Sequence, residues 1–350
     1  MGPNPFFTIL LPTKGRAHHL RFALESLRQQ SFGDFEAIIL DSDPGTEIAR
    51  AWFGGWQSWL DERFRYVRTG DVWMSENFER GLEAVRGRYL HVCQDKAVMA
   101  LDALEAVHAR LSHEPCDSLV FELVSHTWEQ GNHGFAAPAP GLSELQLQPV
   151  FRYGSGMSVE TTVLSSRQVL DEFLVQGWEP ICFKAPRAFN CFTRVACIEA
   201  IRSRGVPFFD TMSPDLCSAL RLLDHLDSFH ATPARLASHY HGAEVSFGTS
   251  WRYRFSYANE AFARLDPAVL AHQHLMPLGL MPIFHNGIFG DYVNVRRSAS
   301  GLLKHSRLRA HDYFAKVLQD IDNLHEDESL KQRLRAIVER CRDAHGAEFI

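Results

Sequence analysis

Three short segments of this 350-residue chain gather charged and hydrogen-bonding side chains directly after apolar runs. They are Pro12-Thr13-Lys14-Gly15-Arg16, Asp41-Ser42-Asp43-Pro44-Gly45 and Gln94-Asp95-Lys96-Ala97. A carboxylate at a strand end, such as Asp41, can accept ligand N–H groups in a near-bidentate way. The competing use of Asp41 and Asp43 is to cap the helix that follows. A fourth segment, Ser213-Pro214-Asp215, has proline where a helix begins and an acid in its first turn. His239 and His241, or His272 and His274, are spaced like metal pairs but lack Cys or carboxylate partners at ligand spacing, which favours structural or acceptor-contact roles. His18 and His19 stand near the first loop, within reach of a phosphate. Trp73, Trp128, Trp178 and Trp251 are read as core, with sugar stacking as the alternative.

The elements that must position these groups alternate. Strands are expected at Phe6–Leu11, Glu36–Leu40, Phe64–Val67 and Tyr89–Cys93. Helices are expected at His19–Gln29, Glu47–Phe53, Asn77–Val85 (stopping near Gly87) and Leu101–Leu111. Such alternation predicts an α/β fold with a mostly parallel sheet and right-handed crossovers. Ligands on such sheets bind at the carboxyl ends of the strands, and all three polar loops leave that edge. After Cys116 the alternation weakens: Ser118–Ser125 is strand-like, Gly131–Gly141 is a Pro/Gly/Ala loop, and Phe151–His241 looks like a second α/β stretch. Gly242–Gly290 has no clear period, and Leu302–Cys341 reads as a polar-faced helical appendage or oligomerisation arm.

An apolar fraction of 45%, a net charge of −6 and a pI near 6.3 describe an ordinary globular protein without a nucleic-acid footprint or a patch for anionic membranes. Seven scattered cysteines without a CxxC pair read as reduced thiols of a cytosolic protein. The N-terminus reads as a strand, not a signal peptide. No window approaches the ~20 apolar residues of a membrane span, so the expectation is a cytoplasmic protein, with any association at the inner membrane face peripheral. GxSxG, Walker A and GxGxxG patterns are missing, against hydrolase, kinase and dehydrogenase readings.

Three motifs in order resemble glycosyltransferase family 2 across roughly residues 5 to 112. Ile9-Leu10-Leu11-Pro12-Thr13-Lys14-Gly15-Arg16, followed by Ala23-Leu24-Glu25-Ser26-Leu27 and Gln30, is similar to the family's opening strand, loop and helix. Phe35–Asp43 is similar to its second strand and acidic loop. Ser75-Glu76-Asn77 with Ala84–Leu90 resembles the helix that feeds the DxD strand. The resemblance implies a GT-A fold, a nucleoside-diphosphate sugar donor and transfer to a glycan or small-molecule acceptor in bacterial polysaccharide synthesis. It implies nucleotide-sugar contacts at Pro12, Thr13, Arg16, Asp41, Asp43, Asn77, Asp95 and Lys96, with Asp41 on the base.

At the DxD position this sequence departs from the family. Gln94-Asp95-Lys96-Ala97 leaves only Asp95 as a metal ligand, a thin donor set for Mg²⁺ or Mn²⁺. Lys96 in or near the metal position would offset diphosphate charge directly. Farther on, Phe189–Arg194, Gly205–Phe209 and Ser213–Leu220 resemble the acceptor half of polysaccharide-type members. There an acid acts as general base, which implies Asp215, with Asp210 as substitute. The expected division is 1–115 for the donor half, 116–245 for the acceptor half and 246–350 for a helical extension that offers a homo-oligomer contact. The competing readings are a nucleotidyltransferase, or a decayed domain serving as a binding or scaffold protein.

Overall fold

A computed structural model describes residues 4–127, 160–241, 251–265 and 267–350. Trp128 and the Gly131–Gly141 loop lie outside the described residues. The first half runs β1 (Phe7–Thr13), α1 (Ala17–Arg28), β2 (Phe35–Asp41), α2 (Glu47–Ala51), α3 (Gln57–Trp59), β3 (Phe64–Arg68), α4 (Met74–Gly81), β4 (Tyr89–Val92), β5 (Ala97–Met99) and α5 (Ala103–His113). Then come β6 (Ser118–Thr127), β7 (Thr162–Ser165), α6 (Ser166–Gln176), β8 (Cys191–Arg194), α7 (Val195–Arg202), α8 (Pro214–His225) and β9 (Ser228–His241). Helices Phe255–Phe262, Phe284–Arg297, Ala310–Asn323 and Glu328–His345 follow.

The strands form one sheet in the order β3-β2-β1-β4-β8-β6-β9-β5. The β3-β2-β1-β4 part is wholly parallel, and β6 and β9 pair in parallel with each other. β8 joins the two parts antiparallel to β4 and β6. β9 carries β7 along its first half and β5 along its second, both antiparallel.

β1 and β2 are buried on both faces, as their apolar runs require. Phe7, Ile9 and Leu11 point into a core shared with α1 and α5, while Leu10, Ile38 and Leu40 face a second, larger core. Helices therefore cover both sides of the sheet. The larger core also holds Tyr313, Phe314, Val317 and Ile321 of one C-terminal helix and Leu334 and Val338 of the last. The expected appendage is thus packed into the core: the helix Ala310–Asn323 rests on α6, on the helix Phe284–Arg297 and on the last helix.

Gly87 is not the helix stop its position suggested. The α4 region ends in a 3₁₀ turn at Leu82–Ala84, before Gly87. Gly87 is required by close approach instead. A Cβ there would lie 2.5 Å from the Thr8 backbone nitrogen, and its N–H donates to Thr8 Oγ1 at 2.8 Å. All seven cysteines are free, and five are buried. Among the described residues no helix is long and apolar enough to cross a membrane.

Candidate functional site

The carboxyl ends of β1 and β4 lie side by side because the strands pair in parallel. Their loops converge on one carboxylate. Thr13 Oγ1 donates to Asp95 Oδ2 at 2.9 Å, and Arg16 Nε lies 2.8 Å from the same oxygen in an ion pair. Asp95 is 1% exposed, so it is held by these groups and not by water. Asp95 and Lys96 occupy the centre of a tight turn closed by the Ala97 N–H donating to Gln94 O at 2.9 Å. The turn runs straight into β5, whose Ala97 pairs with His239 of β9. Pro12, Thr13, Lys14, Arg16, Asp95 and Lys96 form one wall of a cavity of about 580 Å³.

Asn77 also faces that cavity, from α4. Its Oδ1 lies 2.6 Å from Thr69 Oγ1 and its amide donates to Leu40 O, tying α4 to the end of β2. Asp41 and Asp43 do not line the cavity; only Ser42 between them does. Asp41 is fully buried, with Oδ1 accepting the Asp43 N–H at 2.9 Å and Oδ2 accepting the Tyr66 hydroxyl at 2.6 Å. Burial first, and then that carboxylate, push the Tyr66 phenol upward. Asp43 Oδ1 accepts the Gly45 N–H at 3.0 Å. Neither acid caps α2, whose N-cap is Thr46 without a side-chain bond. Both shape the loop from behind. His18 and His19 are absent from the lining as well.

The opposite wall comes from the second half of the chain. Asp215 sits in the first turn of α8 and faces the cavity. The turn before it is fixed by buried Asp291, which accepts the Ser213 N–H at 2.9 Å and holds His272 Nε2 at 2.8 Å. That assigns His272 a structural role, while His274 is exposed. Burial pushes the Asp215 carboxyl above the usual carboxylate range, opposed by Arg187, whose Nη1 is 3.6 Å away, and by backbone N–H groups of the helix start. Arg187 lies over the Trp178 ring at 5.5 Å. Asp210, the alternative acid, pairs with Arg221 at 2.9 Å, accepts from Cys217 Sγ, and does not line the cavity.

Trp73, Trp178, Trp251, Phe189 and Phe284 supply apolar surface to the cavity, and His239 and Arg252 supply polar groups. Trp73, Trp178 and Trp251 therefore do reach the site, and so does His239; the His241 side chain lies outside the described residues. Sequence reading missed Arg187 and Arg252. Nothing in the local spacing marks them, because their partners, Asp215 and Glu179, are 28 and 73 positions away in the sequence.

Arg252 is held by a buried relay. Its Nη2 pairs with Glu179 Oε1, and Glu179 Oε2 lies 3.3 Å from His285 Nε2. His285 Nδ1 stands 2.8 Å from Asp320 Oδ1. Burial would lower the His285 pKa, but Asp320 and Glu179 override it and push it up to about 9. Burial would raise Glu179, but His285 and Arg252 bring it down to about 2. Donor atoms of Glu179, His285 and Asp320 lie within 4.8 Å of one another, a spacing that would also suit a metal ion. The His285 ring nitrogens already lie against both carboxylates, and Nε2 is also 3.1 Å from the Trp178 backbone nitrogen, so the ring is fully engaged without an ion.

Residues 8–174 match the family model of Glycosyl transferase family 2. Two mycobacterial proteins, each called PGL/p-HBAD biosynthesis glycosyltransferase, from Mycobacterium bovis and Mycobacterium tuberculosis, are 29% identical over 125 residues. Those residues are 34% of this chain and 47% of each relative, so the chain spans about half the length of the curated relatives it matches. Among solved structures, S. aureus TarS 1-349 in complex with UDP-GlcNAc aligns with 96% of this chain and 72% of its own, at 10% identity and a TM-score of 0.44. The mannosyltransferase PcManGT from Pyrobaculum calidifontis, in complex with GDP-Man and Mn²⁺, aligns with 98% and 76% at 12% identity and a TM-score of 0.46. These structural likenesses are too remote to transfer any chemistry. The helix-flanked sheet with its parallel β3-β2-β1-β4 part is the architecture that the GT-A resemblance implied. Residues 8–174 are thus similar to Glycosyl transferase family 2, and Thr13, Arg16, Asp95 and Lys96 of the cavity wall all lie inside that match.

Proposed function

We propose that this chain transfers a glycosyl group from a nucleoside-diphosphate sugar to an acceptor hydroxyl, with inversion at the anomeric carbon. The observation that carries the reading is one cavity with a cationic wall inside the family domain and the Asp215 carboxylate on the facing wall. The donor diphosphate lies against Lys14, Arg16 and Lys96. Asp215 takes the proton from the acceptor hydroxyl as its oxygen attacks the anomeric carbon on the face opposite the diphosphate. The bond from that carbon to the diphosphate oxygen breaks, and its electron pair leaves with the phosphate. The surrounding cations stabilise that charge where it develops.

A base of raised pKa suits the task, because its basicity grows with the shift. Arg187 opposes the burial and favours the ionised form. Trp178, Trp251 and Phe284 give the cavity an apolar surface beside Asp215, which favours transfer over hydrolysis by limiting water there. The nucleotidyltransferase reading is weaker, because the loop after β1 has no Gly-rich cradle for a triphosphate. Thermal stabilisation across a panel of nucleotide sugars identifies the donor. Turnover of that donor, with the anomeric configuration of the product read by NMR, then tests the reaction. A retained configuration, or no stabilisation by any nucleotide sugar, sinks this reading.

A further inference from the structure

We propose that Arg16 and Lys96 stand in for the divalent cation that this fold's donor site ordinarily uses, so that the nucleoside diphosphate binds this chain without metal. The inference rests on the donor reading above and deepens it.

A hard divalent cation takes six or more oxygen ligands and is typically anchored by one or two carboxylates plus substrate phosphates. Asp95 is the family carboxylate that remains, and it is already engaged. Its Oδ2 accepts from Thr13 and ion-pairs with Arg16, and its side chain is 2% exposed. Among the described residues, the group of three His, Cys, Asp or Glu side chains close enough to share an ion is Glu179, His285 and Asp320, which does not include Asp95. The other acid on the cavity, Asp215, is paired with Arg187.

Charge balance points the same way. The charges near Lys96 are Asp95, Arg16 and Asp215. Arg16 and Lys96 already offset the two carboxylates, so a doubly charged ion beside Asp95 would find no surplus negative charge from the protein and would be repelled by both cations. A diphosphate placed there meets those cations attractively. The backbone holds this arrangement in place: Lys96 lies between the end of β4 and the start of β5, and β5 is pinned to β9 through Ala97 and His239. Lys14 also lines the cavity, but it is half exposed and held 2.7 Å from Asp71, so its contribution is screened.

The test is calorimetric titration of the intact chain with UDP, GDP and dTDP, each in EDTA and in Mn²⁺, with the matching monophosphates as controls. The expected result is diphosphate affinity in EDTA within about twofold of that in Mn²⁺. Lys96→Met, checked for folding by its melting curve, weakens the diphosphate by tenfold or more and leaves the monophosphate nearly unchanged; Mn²⁺ does not restore it. Lys96→Asp regains diphosphate binding only when Mn²⁺ is added. Wild-type binding that requires Mn²⁺ overturns the proposal, as does an unchanged diphosphate affinity in Lys96→Met. No binding of any nucleoside diphosphate under either condition, by a folded protein, overturns the donor reading itself.

Discussion

Arg187 Nη1 stands 3.6 Å from Asp215 Oδ2, and it is the leading influence opposing the burial that raises the Asp215 pKa. Burial favours the protonated acid, and the guanidinium favours the carboxylate. A general base works ionised, so activity is lost as pH falls through the Asp215 pKa. Arg187→Met removes the opposing influence and raises that pKa further. The acid limb of the kcat/KM profile should move to higher pH, with a larger loss at pH 5.5 than at pH 8. Profiles that superimpose after scaling would show that Arg187 does not act on the base.

Asp215→Asn keeps the shape of the side chain and removes its proton affinity. The turnover number should fall by about 10²–10⁴, the usual contribution of a positioned base. Nucleoside-diphosphate affinity should not fall, because Asp215 is an anion near Lys96 and offers a diphosphate no attraction. Equal loss of binding and turnover would move Asp215 from the reaction to the architecture.

The His285 relay predicts a pH-dependent stability. Facing His285 are Glu179 and Asp320, with Lys316 near Gly177 and Arg252 beyond Glu179. The His285 pKa rises from 6.5 to about 9, so its contribution is complete below pH 6.5 and disappears as pH climbs through about 9. The Glu179 pKa falls from 4.5 to about 2, so its contribution is complete above pH 4.5 and disappears as pH drops through about 2. His285→Gln should therefore cost most between pH 4.5 and 6.5, about 3 kcal/mol for the buried His285–Asp320 pair, with little added by the half-exposed, screened Glu179. Melting temperatures of both proteins across pH 4 to 10 check this; a gap of constant size would contradict it.

Gly177 ends α6 with φ +77°, where an added Cβ would sit 2.4 Å from His285 Nε2. Gly205 has the same φ with open space around it. Gly205→Ala should cost about 1–2 kcal/mol, the backbone penalty of the left-handed region. Gly177→Ala should cost clearly more, because it also displaces the relay. Urea unfolding of the two variants separates the contributions, and equal losses would show that His285 shifts aside freely.

The first half of the fold was readable because its strands are apolar runs and its helices amphipathic. Each of β1, β2, β3 and β4 falls within a residue or two of its expected place. β5 was invisible: three residues carry no period, and Ala97–Met99 is a strand only because β9 passes beside it. The helix Phe284–Arg297 was hidden for a different reason. Phe284 through Tyr292 are all buried, so no polar face exists to give a 3.6-residue rhythm. Thr13, Arg16, Asp95 and Lys96 were found as strand-end loops and do meet on one wall. Asp41 carried the same signal, but a strand-end carboxylate can point outward or inward, and Tyr66, its partner, is 25 residues away. Asp215 was marked by Pro214, whereas Arg187 and Arg252 answer only to tertiary contacts.

The cavity is divided by inheritance as well as by space. The family match ends at residue 174, while Trp178, Arg187, Asp215, Arg252 and Phe284 all come after it. On the proposed reading, the matched segment supplies the donor side of the cavity and the later residues the acceptor side, so the family match speaks to the donor and leaves the acceptor to the rest of the chain.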